Sequence, residues 1–202
     1  MAQQRIWSRL VGRLTMRRRS LRGALAIAVV VPMAVLTTAG TAHAITPPDG
    51  GSSIMTAAND LYHGHAEPYW GGGPIPYVYG GGHLSTHPGP SRPSGASKTG
   101  LDCSGFSRYV YYLAWGHEVL GAGSAASQWS SAKGTATSSP VAGNLVFFKN
   151  SAGAITHVGV YAGLVSGVRY MYNERHTGDT NIRYEQVAKA GLAVAGYRYY
   201  SG

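Results

Sequence analysis

The feature that most constrains this 202-residue chain is that it holds one cysteine, Cys103. No disulfide can form within the chain, so its fold must rest on a buried apolar core. The first 44 residues carry seven arginines, with a cluster at Arg17-Arg18-Arg19, and no acidic residue. An apolar run from Ala24 to Leu36 follows, too short to span a bilayer comfortably. Ala42-His43-Ala44 then places small residues at −3 and −1 of a cleavage site before Ile45. Residues 1–44 are therefore expected to be a secretory signal peptide, exported by the Sec or the twin-arginine route. The formal net charge of +9 misleads, because from Ile45 onward ten basic residues face only eight acidic ones. That balance excludes nucleic acid as a natural partner and gives no membrane attachment once the signal is cleaved. A free thiol in an exported protein needs a reason to exist. Cys103 is either a small buried hydrophobe or a nucleophile.

Residues 45–53 read as a flexible N-terminus of the mature chain, and 54–202 as one domain. Apolar residues at 54, 55, 58 and 61 predict a short helix over Ile54–Leu61. Residues 83–100, HLSTHPGPSRPSGASKTG, read as a long surface loop. Phe106, Val110, Leu113 and Ala114 lie at the spacing of one helical face, with Asp102 where an N-cap belongs and Gly116 as terminator. After a Ser/Ala/Gly-rich linker, strand signals follow at Leu145–Phe148, His157–Ala162, Arg169–Asn173, Asn181–Tyr184 and Val194–Tyr200. Helices followed by a run of strands predict an α+β fold, with an antiparallel sheet packed against helices.

Within that arrangement Cys103 falls in the first turn of a helix. Unpaired N–H groups and aligned peptide dipoles there favour a thiolate and can receive an oxyanion. Among the histidines, His157 opens a strictly alternating strand. His157, Gly159 and Tyr161 share one face, and Val158, Val160 and Ala162 the other. An imidazole suits proton transfer from a thiol to a leaving amine, although a histidine on a solvent-facing strand is the plainer alternative. A metal site built from His63 and His65 with His83 or His87 lacks ligand spacing, so no metal is expected.

LDCSGFSRYVYYLAWG (101–116), LVFF (145–148) and THVGVYAG (156–163), preceded by PYVYGG (76–81), resemble the NlpC family of bacterial cell-wall cysteine peptidases. The resemblance runs from about Ile54 to the C-terminus. It implies a papain-like fold with Cys103 as nucleophile, at the N-terminus of a helix, and His157 as base. It also implies an oxyanion-site tyrosine at Tyr77, and Asp102 and Ser104 shaping the pocket for the N-terminal side of the substrate. The residue that orients the imidazole falls at Asn173, with His176 as the rival. Ala142-Gly143-Asn144 departs from the family's Pro-Gly-Asp turn, and no arginine occurs in Leu120–Gln128.

The activity implied is hydrolysis of an amide in a peptidoglycan stem peptide, between D-glutamate and a diamino acid, through a thioester and without a cofactor. An N-acetylmuramoyl-L-alanine amidase on the same scaffold is one alternative, and a non-catalytic wall-binding module another. The expected state is a monomer, secreted or associated with the cell wall.

Overall fold

The computed structural model describes residues 51–202, and these belong to a single compact unit. The expected signal peptide and its cleavage site lie outside the described residues. Among the described residues there are three α-helices, α1 (Gly51–Tyr62), α2 (Cys103–Trp115) and α3 (Ala125–Ser130), and a short 3-10 helix at Val187–Ala190. Six strands follow the first two helices: β1 (Gly134–Thr137), β2 (Leu145–Lys149), β3 (Ile155–Val165), β4 (Val168–Asn173), β5 (Arg183–Gln186) and β6 (Ala193–Tyr200). They form one sheet in the order β1-β6-β2-β3-β4-β5, antiparallel throughout. The α+β architecture expected from the sequence is the one observed. Among the described residues no helix is long and apolar enough to cross a membrane.

Four expectations need correction. First, α1 begins at Gly51, inside the stretch expected to be flexible, so the helix claims residues 51–53. Second, the region treated as a linker contains α3 and β1. The sequence of β1, GTAT, carries no apolar alternation; it is a strand because β6 pairs along it, with the Tyr200 ring lying against Gly134. Third, β5 covers Arg183–Gln186 rather than Asn181–Tyr184, a register set by pairing with β4. Fourth, the 83–100 loop is not all surface. Residues 88–91 are buried, and Ser91 pairs with Gly100 through two backbone hydrogen bonds of 2.9 and 3.0 Å.

Helix α2 is the centre of the molecule, not a surface element with one apolar face: eleven of its thirteen residues are buried. Its polar side chains are therefore paired internally, as burial demands. Ser107 donates to Gln128 Oε1 at 2.8 Å, and Gln128 Nε2 donates to the Ser104 carbonyl at 2.8 Å. Arg108 donates to the carbonyls of Gly82 and Leu84 and forms an ion pair with Glu118 at 2.6 Å. One face of the sheet, through Leu145, Phe147, Val158 and Val160, packs on α1 and α2. The other carries Val146, Phe148, Tyr161 and Met171, with Val187 from the segment after β5 packed against them. The alternation read from THVGVYAG thus describes the two faces of β3.

Candidate active site

The helix N-terminus that holds Cys103 is built by its neighbours. Asp102, in extended conformation, accepts the Gly105 N–H at 2.8 Å and closes the first turn. Gly116, at φ 72°, closes the other end of α2. The tyrosine segment lies alongside the residues that lead into α2. Val78 N–H donates to the Leu101 carbonyl at 2.8 Å, and Asp102 N–H to the Gly81 carbonyl at 3.1 Å. This approach is possible only because of glycines: a Cβ on Gly105 would lie 2.0 Å from the Gly81 oxygen. The pairing brings Tyr77 within electrostatic reach of Cys103 and Asp102.

The backbone N–H groups of Val158, Ser104 and Cys103 itself lie near enough to the Cys103 sulfur to favour its anion. Val158 follows His157 directly, so the strand that presents the base candidate starts beside the helix end that presents Cys103. That start is a β-bulge. Phe148 pairs with His157 and Lys149 with Ile155, leaving Thr156 unmatched, a device that re-aims a strand end. His157 Nε2 lies 3.0 Å from Asn173 Oδ1, so Nδ1 is the ring nitrogen left for a second partner. Asn173 is at the end of β4, opposite Gly159. A Cβ on that glycine would meet Met171 Sδ at 2.9 Å and Asn173 Cβ at 3.3 Å. The space cleared by Gly159 therefore serves the approach of β4. His176 does not compete: its side chain is 58% exposed and faces Asp179 at 3.7 Å.

Burial dominates the proton affinities. It pushes the Cys103 thiol up to about 12, with the Asp102 charge adding to it and the Val158 and Ser104 amides opposing. The helix N-terminus alone would favour thiolate, but in this structure it is outweighed. Burial likewise pulls His157 below the usual imidazole value, against its hydrogen bond with Asn173 and the charge of Glu185. Burial also raises the Tyr77 phenol well above its ordinary value, helped by Cys103 and Asp102. Burial thus favours the neutral form of both the thiol and the imidazole.

Asp102 and Ser104 are not open pocket residues. The Asp102 carboxylate accepts from His83 Nε2 at 2.9 and 3.0 Å, from Ser104 Oγ at 2.9 Å and from the Gly80 N–H at 3.0 Å, besides Gly105. His83, which the sequence places in the loop, is a partner of the site. Two further residues give no sequence signal. Glu185 accepts from Asn173 Nδ2 at 3.1 Å and from Arg175 at 3.2 Å. Glu174 is fully buried, and neither of its carboxyl oxygens has a hydrogen-bond partner. Burial, then the Asp179 charge, pushes its proton affinity up to about 9. Beside Tyr77 a groove of about 560 Å³ opens between Pro93–Lys98 and Thr177–Thr180, so part of the 83–100 loop forms a wall of it.

Residues 74–192 match the NlpC/P60 family, more than half of the chain. This chain belongs to the NlpC/P60 family. A γ-DL-glutamyl hydrolase of Bacillus subtilis (strain 168) is 34% identical to it over 113 residues, 55% of this chain. The match spans only 23% of that hydrolase's own length. Among solved structures, the P60 domain of Mycobacterium avium paratuberculosis antigen MAP1272c is similar at a TM-score of 0.51 and 21% identity, covering 76% of this chain and 93% of that one. RipD of Mycobacterium tuberculosis, a non-catalytic NlpC/p60 domain protein adapted to peptidoglycan binding, is similar at a TM-score of 0.53 and 19% identity, covering 77% of this chain and all of RipD. These structures establish the shared papain-like NlpC/P60 fold.

Proposed function

We propose that this NlpC/P60 protein is a secreted cysteine endopeptidase that cuts peptidoglycan stem peptides between D-glutamate and the diamino acid. The observation that carries the reading is the His157–Asn173 hydrogen bond of 3.0 Å, on a strand whose next residue, Val158, has its N–H close to Cys103 at the start of α2. Likeness to the B. subtilis γ-DL-glutamyl hydrolase supports the choice of bond.

In this reading, with burial favouring the neutral thiol and the neutral imidazole, His157 acts as general base during attack. Cys103 Sγ bonds to the scissile carbonyl carbon as its proton passes to His157 Nδ1. The oxyanion is held by N–H groups of the first turn of α2 and by the Tyr77 hydroxyl. His157 then protonates the departing amine as the C–N bond breaks, leaving a thioester. Water, deprotonated by the same imidazole, attacks the thioester and returns the thiol. Asn173 fixes the imidazole without adding charge, as a neutral amide can in a cysteine peptidase. No metal or organic cofactor has a part in this scheme.

The test is digestion of defined muropeptides, with product masses naming the bond. Cleavage on the amino side of the diamino acid, freeing its amine from the D-glutamate carbonyl, supports the reading, and release of intact stem peptide from the muramic acid makes the protein an amidase. Cys103→Ala must abolish turnover. A variant that clears wall suspensions at the parent rate would refute cysteine catalysis. Wall binding without any product would place the protein with non-catalytic binding modules.

A further inference from the structure

Glu185 lies on β5 and Asn173 on β4, and the two are diagonal neighbours on one face of the sheet: Asn173 pairs with Arg183, and Glu185 with Met171. That face also carries His157, because β3 lies next to β4. Parity along three adjacent strands thus lines up His157, Asn173 and Glu185, and Arg175, two residues past the end of β4, extends the chain to four. Arg175 donates to Glu185 Oε2 at 3.2 Å, Asn173 Nδ2 donates to Glu185 Oε1 at 3.1 Å, and Asn173 Oδ1 lies 3.0 Å from His157 Nε2.

The polarity of this chain is set from its far end. A carboxylate paired with a guanidinium can only accept hydrogen bonds. Asn173 must therefore turn its NH₂ group to Glu185 and its carbonyl to His157. A carbonyl can only accept, so His157 Nε2 must carry the proton, and the lone pair is left on Nδ1. We propose that Glu185 is a positioning residue that dictates, through the Asn173 amide, which nitrogen of His157 acts as the base. The inference rests on the catalytic reading above. It adds that an amide at position 173 orients the imidazole correctly only while an acceptor stands behind it. The charged groups acting on His157 are Glu185, Arg175 and Asp102. Glu185 raises its proton affinity and Arg175 lowers it, so removing the carboxylate also moves the ring in a defined direction.

The test compares three variants of the purified protein by muropeptide kinetics and by ¹⁵N NMR of the His157 ring. Glu185→Gln keeps an acceptor for Asn173. It should hold kcat/KM within roughly fivefold of the parent, keep the proton on Nε2, and move the acid limb of the pH profile to lower pH. The swap Arg175→Glu with Glu185→Lys keeps an ion pair but puts a donor behind Asn173. It should turn the amide over, move the ring proton to Nδ1 and cost at least about a hundredfold in kcat, because a wrongly held tautomer cannot take the thiol proton. Glu185→Leu removes the acceptor without introducing a donor. It should lower kcat about tenfold with little change in KM and leave both tautomers visible. A structural ion pair would tolerate the swap. Parent-like kcat and an Nε2–H ring in the swap, or in Glu185→Leu, would overturn the assignment. The NMR arm decides the point even if the parent protein proves to hydrolyse nothing, so failure of this inference is separable from failure of the peptidase reading.

Discussion

Replacing Asp102 tests the construction of the site directly, because one carboxylate serves four partners there. Asp102→Ala removes the N-cap of α2, which costs about 1 kcal/mol in a typical helix. It also leaves the Gly80 N–H and the His83 imidazole without their acceptor, at ~1 kcal/mol or more for each poorly solvated donor. Ser104 Oγ can turn to another acceptor and adds little. The sum is about 3 kcal/mol, or roughly 10 °C in Tm for a domain of this size. Asp102→Asn keeps the cap oxygen and should cost about half as much. The two also differ in pH dependence. Burial alone would raise the Asp102 carboxyl and lower the His83 imidazole, but their mutual hydrogen bond and charge outweigh it. Asp102 is thereby held below its usual 3.8 and His83 above its usual 6.5. The depressed carboxyl contributes stability that is present above 3.8 and lost as pH falls through its lowered value. The raised imidazole contributes stability that is present below 6.5 and lost as pH rises through its raised value. The parent's advantage over Asp102→Asn should therefore be largest between pH 4 and 6.5 and shrink by pH 8.5. Denaturant melts of the three proteins at pH 5.5 and 8.5 measure this. A cost below about 1 kcal/mol for Asp102→Ala, or an Asp-to-Asn difference equal at both pH values, would refute the reasoning.

Further expectations concern the reacting pair and its surroundings. Because burial holds His157 below the usual imidazole value of 6.5, kcat/KM should keep its plateau at pH 6.5 and fall only at lower pH; an acid limb centred at or above 6.5 would contradict that environment. Asn173→Ala should cut kcat about 10- to 100-fold by freeing the imidazole, whereas His176→Ala should change it less than twofold, since His176 faces Asp179; steady-state kinetics on one muropeptide separates the two. Glu174, with its proton affinity pushed up to about 9, imposes no penalty below pH 4.5 and a growing one above it. By pH 7 the penalty is about 3 kcal/mol, so Glu174→Gln should be more stable than the parent at pH 7 and no more stable at pH 4.5, as read from denaturant midpoints.

Much of this was legible in the chain because the relevant signals are local. The cap at Asp102, the terminator at Gly116 and the alternation of THVGVYAG need only a few neighbouring residues to be recognised, and each occurs where expected. Position alone favours Asn173 over His176, and the contact itself, at 3.0 Å, depends on the pairing of β3 with β4. Strand β1 was invisible for the same reason: Gly134 to Thr137 becomes a strand only against β6, more than fifty residues away. The Asn144 turn shows the opposite case. Its Oδ1 accepts the Val141 N–H at 3.1 Å, so the turn survives the loss of the carboxylate, as a short amide side chain allows.

By itself the sequence determined the helix that presents Cys103, the strand that presents His157 and the order in which they come, since caps, turns and periodicity act over a few residues. Tertiary structure decided the rest: that burial favours the neutral thiol and the neutral imidazole, that His83 closes over Asp102, and that Glu185 stands behind Asn173. Proton affinity depends on how much water is excluded and which charges are near, and both are set by residues a dozen or more positions apart that meet only when the sheet closes on its helices.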